Sequence, residues 1–315
     1  MMKIYLLALL AILMASAADD EMRDRGVVME AVDNSTSVMD SLNFSGFYYD
    51  LDDGLGTEKI SITVKEGRLC EPDGVIYDSI RQEKAFDFED WGMYYVIGFL
   101  GEGYFAGYSN REVGEGSGCL YDESPDPKPL ADEMLLRVLI DDDSEHQLSS
   151  GSPLDLEDGY QLHLRSVDVN GEKVSLELRK DGGTLDAKVI SPSSSGSDTG
   201  SATYIYKRFV GGDEIVIVAV HFKSAFLGDE KDPKSGIASI DGVFQLSDMP
   251  KDVEEQAQFD KMRVVSVDAT EILMRNEDDN ITLSRNDEIK LMDRYYIRTA
   301  DQSDDNPLRF YIYRA

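Results

Sequence analysis

Three kinds of side chain in this sequence could do chemistry: three histidines, two cysteines and an excess of carboxylates. His146, His163 and His221 lie far apart in sequence, and none falls in a metal spacing such as H-E-x-x-H. His163 and His221 sit in alternating, strand-like runs and read as structural or surface residues. The acids gather in runs, Asp50–Asp53, Asp141–Asp143 and Glu277–Asp279. A calcium loop needs six to eight oxygens converging from one shaped segment, with glycine at its sixth position, and none of the runs has that form. They read as solvated loop charge, and as places where divalent cations would bridge copies of the chain. A glycoside hydrolase needs two carboxylates at a fixed separation; with 62 acids no pair stands out. The sequence lacks a Gly-x-Ser-x-Gly elbow, a phosphate loop and a dinucleotide fingerprint. No residue is therefore assigned as catalytic, cofactor-binding or metal-ligating.

Two further motifs depend on where the chain resides. Residues 1–17 run from a lysine through an uncharged apolar stretch, Ile4 to Met14, to Ala15-Ser16-Ala17. That is the order of a secretory signal peptide. The alternative is an uncleaved anchor, but the apolar run falls short of the roughly 20 residues that span a bilayer. No second long apolar run follows, so no transmembrane anchor is expected. In an exported chain Cys70 and Cys119 read as one disulfide, two buried free thiols being the alternative. Closing a loop of about 50 residues would stabilise by roughly 4 kcal/mol in the chain-entropy account. Export also makes three sequons eligible for glycosylation: Asn34-Ser-Thr, Asn43-Phe-Ser and Asn280-Ile-Thr, of which Asn280, at an acidic turn, is the best candidate.

Charge narrows the partners. The formal net charge is −31. Such a surface repels nucleic acid, whose binding relies on counterion release from phosphate, and repels anionic headgroups. It suits a salty medium, cations, or a charged screen.

Short runs of alternating or β-branched and aromatic residues carry the rest. Residues 18–43 are polar and acidic and read as an N-terminal arm. Ile60–Val64 alternates, Met93–Ile97 and Tyr104–Tyr108 are rich in aromatics, and Met134–Ile140 looks buried on both faces. Tyr160–Val167 and Val174–Leu178 flank Asn170-Gly171, the strongest short hairpin signal. Strand-like runs continue to Leu246, enough for one immunoglobulin-like sandwich, with Ser191–Ser201 as a loop within it. More follow from Lys261 to Tyr313. The one helix candidate is Asp252–Ala257. Trp91, the sole tryptophan, reads as a core anchor. The class expected is all-β, with two immunoglobulin-like β-sandwich subdomains. Arg165-Ser-Val-Asp168 recurs as Val265-Ser-Val-Asp268, a short echo of two related units.

Longer blocks resemble a known family. Phe47-Tyr-Tyr-Asp-Leu-Asp-Asp-Gly-Leu-Gly-Thr-Glu58 looks like the opening of the S-layer family duplication domain of methanogenic archaea. Trp91-Gly92, Ile97-Gly98-Phe99 and Tyr104–Tyr108 resemble its next block. Leu154–Tyr160, Ser166–Gly171, Ile240–Ser247 and Leu308–Tyr311 are similar to its middle and close. The resemblance covers about residue 44 to the end, as one copy without an anchor. It implies a structural cell-envelope protein, secreted and held at the cell surface as a component or accessory of an acidic, porous coat. Its partners would be itself or other surface-layer proteins. It carries no catalytic residues, so an enzyme is not expected. It also implies that 151–254 form a second sandwich inserted into a first, discontinuous one made of 44–150 plus 255–315. The competing readings are an extracellular binding module, cation-dependent and directed at glycan or protein, and a secreted hydrolase.

Overall fold

The computed structural model describes residues 24–109, 120, 129–168, 172–192, 199–229, 232–301 and 307–315; the side chains of 228, 229 and 232–235 are left out of the description. The chain is nearly all β, in antiparallel sheets. The expected signal peptide, residues 1–17, lies outside the described residues.

Two apolar cores organise the sheets. Around the first core, a four-stranded sheet runs in the order Leu154–Asp155, Tyr160–Val167, Val174–Lys180, Gly183–Ile190. It packs on a nine-stranded sheet whose main path is Thr203–Val210, Asp213–Asp229, Asp232–Leu246, Met134–Asp142, Glu102–Ser109, Met93–Phe99 and Gln82–Ala85. Leu162, Leu176 and Leu178 of the smaller sheet meet Val216, Val218 and Phe244 of the larger in one cluster. The alternation of Tyr160–Val167 sets this face, because period-2 apolar residues all leave a strand on one side.

Around the second core, a six-stranded sheet runs Gln258–Phe259, Met262–Val267, Glu271–Arg275, Val75–Ile80, Glu58–Val64, Ser35–Asp40. It faces a five-stranded sheet built on Asp24–Arg25, Arg309–Arg314, Tyr295–Thr299 and Glu288–Met292. Ile60, Ile62, Val264 and Met274 join Leu291, Ile297 and Ile312 in its cluster.

The Ser-Val-Asp echo has a structural counterpart. Tyr160–Val167 pairs Val174–Lys180 with a register shift between Leu164 and Ser166. Met262–Val267 pairs Glu271–Arg275 with a shift at the corresponding place, between Val264 and Ser266. Each motif ends in an aspartate, Asp168 or Asp268, whose Oδ1 accepts backbone N–H groups of the following turn. After each hairpin, three successive antiparallel strands complete the opposite sheet. One supersecondary plan is used twice.

The cores are not independent. Met93–Phe99 and Glu102–Ser109 serve both: Tyr94, Val96 and Phe105 enter the first cluster, while Ile97, Phe99, Tyr104 and Ala106 enter the second. Met134–Asp142 does the same with Leu136 and Leu135. Adjacent residues of a strand point to opposite faces, so a strand apolar at every position can line two cores. Gly107, at φ 114, breaks the alternation, letting Tyr108 join Phe105 in the first core; a side chain at that φ would be strained.

Several expectations shift. From Asp24 on, the segment read as an arm supplies the strands Asp24–Arg25, Met29–Glu30 and Ser35–Asp40, because Met29 and Met39 are core residues. The nine-stranded sheet that holds the strands from Thr203 to Leu246 also holds strands before residue 151, back to Gln82–Ala85. The expected helix at 252–257 is replaced by the strand Lys251–Asp252 and a turn with Gln256 at φ 69. Among the described residues the helical segments are one α-turn, Thr199–Ala202, and a 3-10 turn, Glu89–Trp91. Trp91 is fully buried among Phe86 and Phe88, its Nε1 donating to Thr203 Oγ1 at 3.3 Å.

With strands shared between the cores, calorimetry is expected to show one cooperative unfolding transition. Phe105→Ala, deleting a fully buried ring, is expected to lower stability by about 3–5 kcal/mol without splitting it; two separated transitions would contradict the shared-strand packing.

Candidate functional site

Among the described residues a dense group of ionisable side chains surrounds Lys84. This residue sits on Gln82–Ala85 with its side chain only 6% exposed. Its Nζ lies 2.7 Å from Asp53, 3.0 Å from Asp50, 3.3 Å from Asp87 and 3.7 Å from Asp141. The loop that follows Tyr49 is wound about Asp50: its Oδ1 accepts the N–H groups of Asp52 and Asp53, and its backbone bridges to Leu55. That turn brings Asp50 and Asp53 to one ammonium. Asp141, near the end of Met134–Asp142, accepts Asp87 N at 3.0 Å and the Tyr94 hydroxyl at 2.9 Å. A cavity of about 360 Å³ opens here, lined in part by Tyr48, Asp50, Lys84, Asp87, Asp141 and Glu157.

Electrostatics divides these carboxylates. Burial, with Asp87's charge beside it, pushes the Asp141 carboxyl up to about 7. Burial also raises Asp87, against Lys84. At Asp50 burial acts the same way but is outweighed by hydrogen bonds from Lys84, Asp53 and Asp52, which hold it below the usual range. Burial works against the Lys84 ammonium, yet Asp53 and Asp50 raise its pKa well above the ordinary value. Two carboxylates shifted in opposite directions in one cavity is the pattern a glycosidase would use. Here the ammonium stands among them, within ion-pair distance of both, and supplies the positive charge that the geometry asks for.

A second buried acid lies at the seam between the cores. Glu58, 1% exposed, accepts Tyr48 N at 2.6 Å, the Tyr77 hydroxyl at 2.7 Å and Gly101 N at 2.9 and 3.2 Å. Tyr77's oxygen in turn accepts Leu100 N at 3.1 Å. Beside it, Gly98 N donates to Thr57 Oγ1, which shares a hydrogen bond with Ser79 Oγ, which donates to Gly98 O. These bonds tie Glu58–Val64 and Val75–Ile80 of the second core to the hairpin shared with the first. Burial raises the Glu58 carboxyl to about 7 despite its three donors. Glu102, on the same hairpin, pairs with Arg137, Arg294 and Arg314. In the first core Asp248, 4% exposed, receives Tyr160, Lys180 and Arg208.

The sequence-derived candidates are dispersed. His146 pairs with Asp142 at 2.9 Å, and His221 pairs with Asp241 at 2.6 Å while stacking on Phe88. His163, lowered by burial and by Arg179, has its Nε2 buried without a hydrogen-bond partner. Among the described residues no group of three His, Cys, Asp or Glu is placed to hold a metal ion. The acid runs are largely committed: Asp50, Asp53 and Asp141 to Lys84, Asp142 to His146, Asp278 to Arg263 and Asp279 to Lys261. Reading them as solvated loop charge missed this, because Lys84 lies about 30 or more positions away in sequence from three of its four partners. Cys70 Sγ lies 4.0 Å from Lys65 O; Cys119 lies outside the described residues. All three sequon asparagines are exposed. Asn43 and Asn280 use their side-chain oxygen to accept Asp40 N and Glu71 N. Asn34 instead donates its amide nitrogen, the atom that would carry a glycan, to Asp33. Among the described residues no helix is long and apolar enough to cross a membrane.

The fold and its charge clusters therefore define an acidic, all-β protein whose buried ionic groups join its own parts. The family model described as S-layer protein matches residues 29–301, and the chain belongs to that family. It is 30% identical over 287 residues to the major S-layer protein of Methanosarcina acetivorans, covering 89% of this chain and 39% of that protein. It is 29% identical over 315 residues to the major S-layer protein of Methanosarcina mazei, covering 94% and 43%. The counterpart in Methanosarcina barkeri is 28% identical over 289 residues, covering 90% and 39%. The chain thus spans about two fifths of the length of the curated relatives it matches.

Two substitutions test the assignment of these groups. Lys84→Met leaves four carboxylates without their cation and is expected to cost about 3–5 kcal/mol in urea unfolding; an unchanged midpoint would make the cluster incidental. Glu58 and Asp141 hold their protons more tightly folded, near pH 7, than at their ordinary values of 4.5 and 3.8. Their stabilisation is complete below those ordinary values and is lost as pH rises through about 7, so stability is expected to fall from about pH 4.5 to 7.5. Glu58→Gln, which stays neutral, is expected to flatten that fall; an unaltered slope would remove Glu58 as its source.

Proposed function

We propose that this chain is a structural component of an extracellular surface layer, exported by residues 1–17 and packed against copies of itself or other surface-layer proteins. The observation that carries this reading is the use of its buried charge: Lys84, Glu58 and Asp248 are each saturated by groups of the same chain, at seams between strands. Groups spent on holding a body together suit a building unit. They also argue against a hydrolase, since the cavity with the oppositely shifted Asp50 and Asp141 has Lys84 within ion-pair distance of both.

The two cores support a division into two units, one inserted in the other: 82–246 around the first core, with 24–80 and 251–315 around the second. The strands 93–109 belong to both and make the pair rigid. Asn43 and Asn280 are the proposed glycan sites, and Cys70–Cys119 the proposed disulfide, to be sought by peptide mapping without reduction.

At a net charge of −31, copies repel one another through long-range fields that salt screens beyond about 8 Å at physiological ionic strength. Self-association followed by light scattering is expected to rise with ionic strength. Because most carboxylates of the acid runs are paired within the chain, sodium, magnesium and calcium series are expected to coincide at equal ionic strength. An excess for calcium would favour the cation-dependent binding module instead. The localisation is tested by fractionating cells: recovery in the envelope is expected, and recovery in the cytoplasm would overturn the reading.

A further inference from the structure

The strand Gly183–Ile190 is an edge. Among the described residues its ladder partner is Val174–Lys180, on one side only. All of it but Ile190 is at least partly open to solvent, and Leu185 and Val189 are 45% and 63% exposed. An open edge presents a row of N–H and C=O groups ready to pair with another strand.

Charge singles out this edge. The chain carries 31 basic and 62 acidic side chains, but between Tyr160 and Val210 there are seven basic and six acidic. Two copies approaching through this stretch meet almost no net repulsion, whereas the rest of the surface drives them apart. The strand itself holds one acid and one base two positions apart, Asp186 and Lys188, on the same face of the sheet; within one copy they lie 3.5 Å apart, and Lys188 also donates to Ile205 O, so a second copy would add to pairs already made rather than meet free charges. If it pairs with its own copy antiparallel about Ala187, residue 186 of each copy stands opposite residue 188 of the other. Both cross-strand pairs are then Asp–Lys, and Leu185 opposes Val189 in both places. Opposite charges directly across a ladder stabilise it and like charges destabilise it. A lysine on the edge and the register shift beside Leu185 discourage pairing with unrelated strands, and the lysine is matched only by a strand with an acid in the mirrored position.

We propose that two copies of this chain associate through an antiparallel, twofold pairing of Gly183–Ile190, with Ala187 at the axis. This contact rests on the surface-layer reading and names one of its interfaces. A twofold contact is self-complementary and closes on a dimer, so a second, different contact would be needed to extend a sheet.

Sedimentation of the mature chain at moderate salt tests it. The wild type is expected to reach a dimer. Lys188→Asp and Asp186→Lys, each turning two attractive pairs into repulsive ones, are expected to weaken the dimer by about tenfold or more. The double variant D186K/K188D restores opposite pairing and is expected to return the dimer to near its original strength. Asp186 also accepts the Tyr204 hydroxyl and Lys188 donates to Ile205 O, so near-ultraviolet circular dichroism accompanies each variant. Val189→Lys, at an exposed site, provides a charge block that leaves Tyr204 untouched and is expected to weaken the dimer. A wild type that stays monomeric, or variants that dimerise like it, would overturn the proposal. Association that persists in all variants would do so while leaving the surface-layer reading standing; loss of envelope localisation would instead remove that reading.

Discussion

The structure depends on one constraint: a single hairpin, Met93–Phe99 with Glu102–Ser109, must satisfy two cores at once. Each of its faces is apolar, so neither can turn to water. At its tip the backbone changes direction at Leu100 and Gly101, and the free N–H groups there need acceptors inside a dry environment. Glu58 and the Tyr77 oxygen provide them. An unpaired buried N–H would cost about 1–3 kcal/mol, and a buried carboxylate without donors would cost more. Each solves the other's problem. Lys84 and its four acids repeat this logic at the other side of the hairpin, where Tyr94 reaches Asp141.

This arrangement explains why a chain with 62 acids shows so little that looks like a site. Among the described residues, the buried carboxylate groups of Glu58, Asp141, Glu177 and Asp248 each have a partner in the same chain. Perturbed pKa values often mark catalytic groups, but structural ion networks perturb them too. The raised Asp141 and lowered Asp50 sit in such a network, with the Lys84 ammonium within ion-pair distance of both. Membership of a surface-layer family fits that division of labour between a cross-tied interior and an acidic exterior.

Much of the fold was legible. Period-2 runs located most strands, and the Asn170-Gly171 signal lay between two strands that pair from Val167 and Val174. The Ser-Val-Asp echo marked a repeated hairpin, down to the same register shift. What was not legible is what depends on distant partners. Met93–Ile97 and Tyr104–Tyr108 read as aromatic strands, yet nothing local says that their two faces belong to different cores. The segment before Phe44 is polar on average, and only Met29 and Met39 give away its strands. Asp50–Asp53 looked like loop charge because its cation comes from another strand. The helix expected at 252–257 failed because Val253 is needed in the second core and the chain there pairs with Met134 and Leu135.

Through the shared hairpin the two cores form one mechanical and thermodynamic body. Native-state hydrogen exchange on a Leu176→Ala variant tests it most directly, since Leu176 lies wholly within the first core. The shared hairpin predicts that the slowest amides of Glu58–Val64, in the second core, lose as much protection as those of Val174–Lys180. Protection that falls around Leu176 while that of Glu58–Val64 stays unchanged would contradict it.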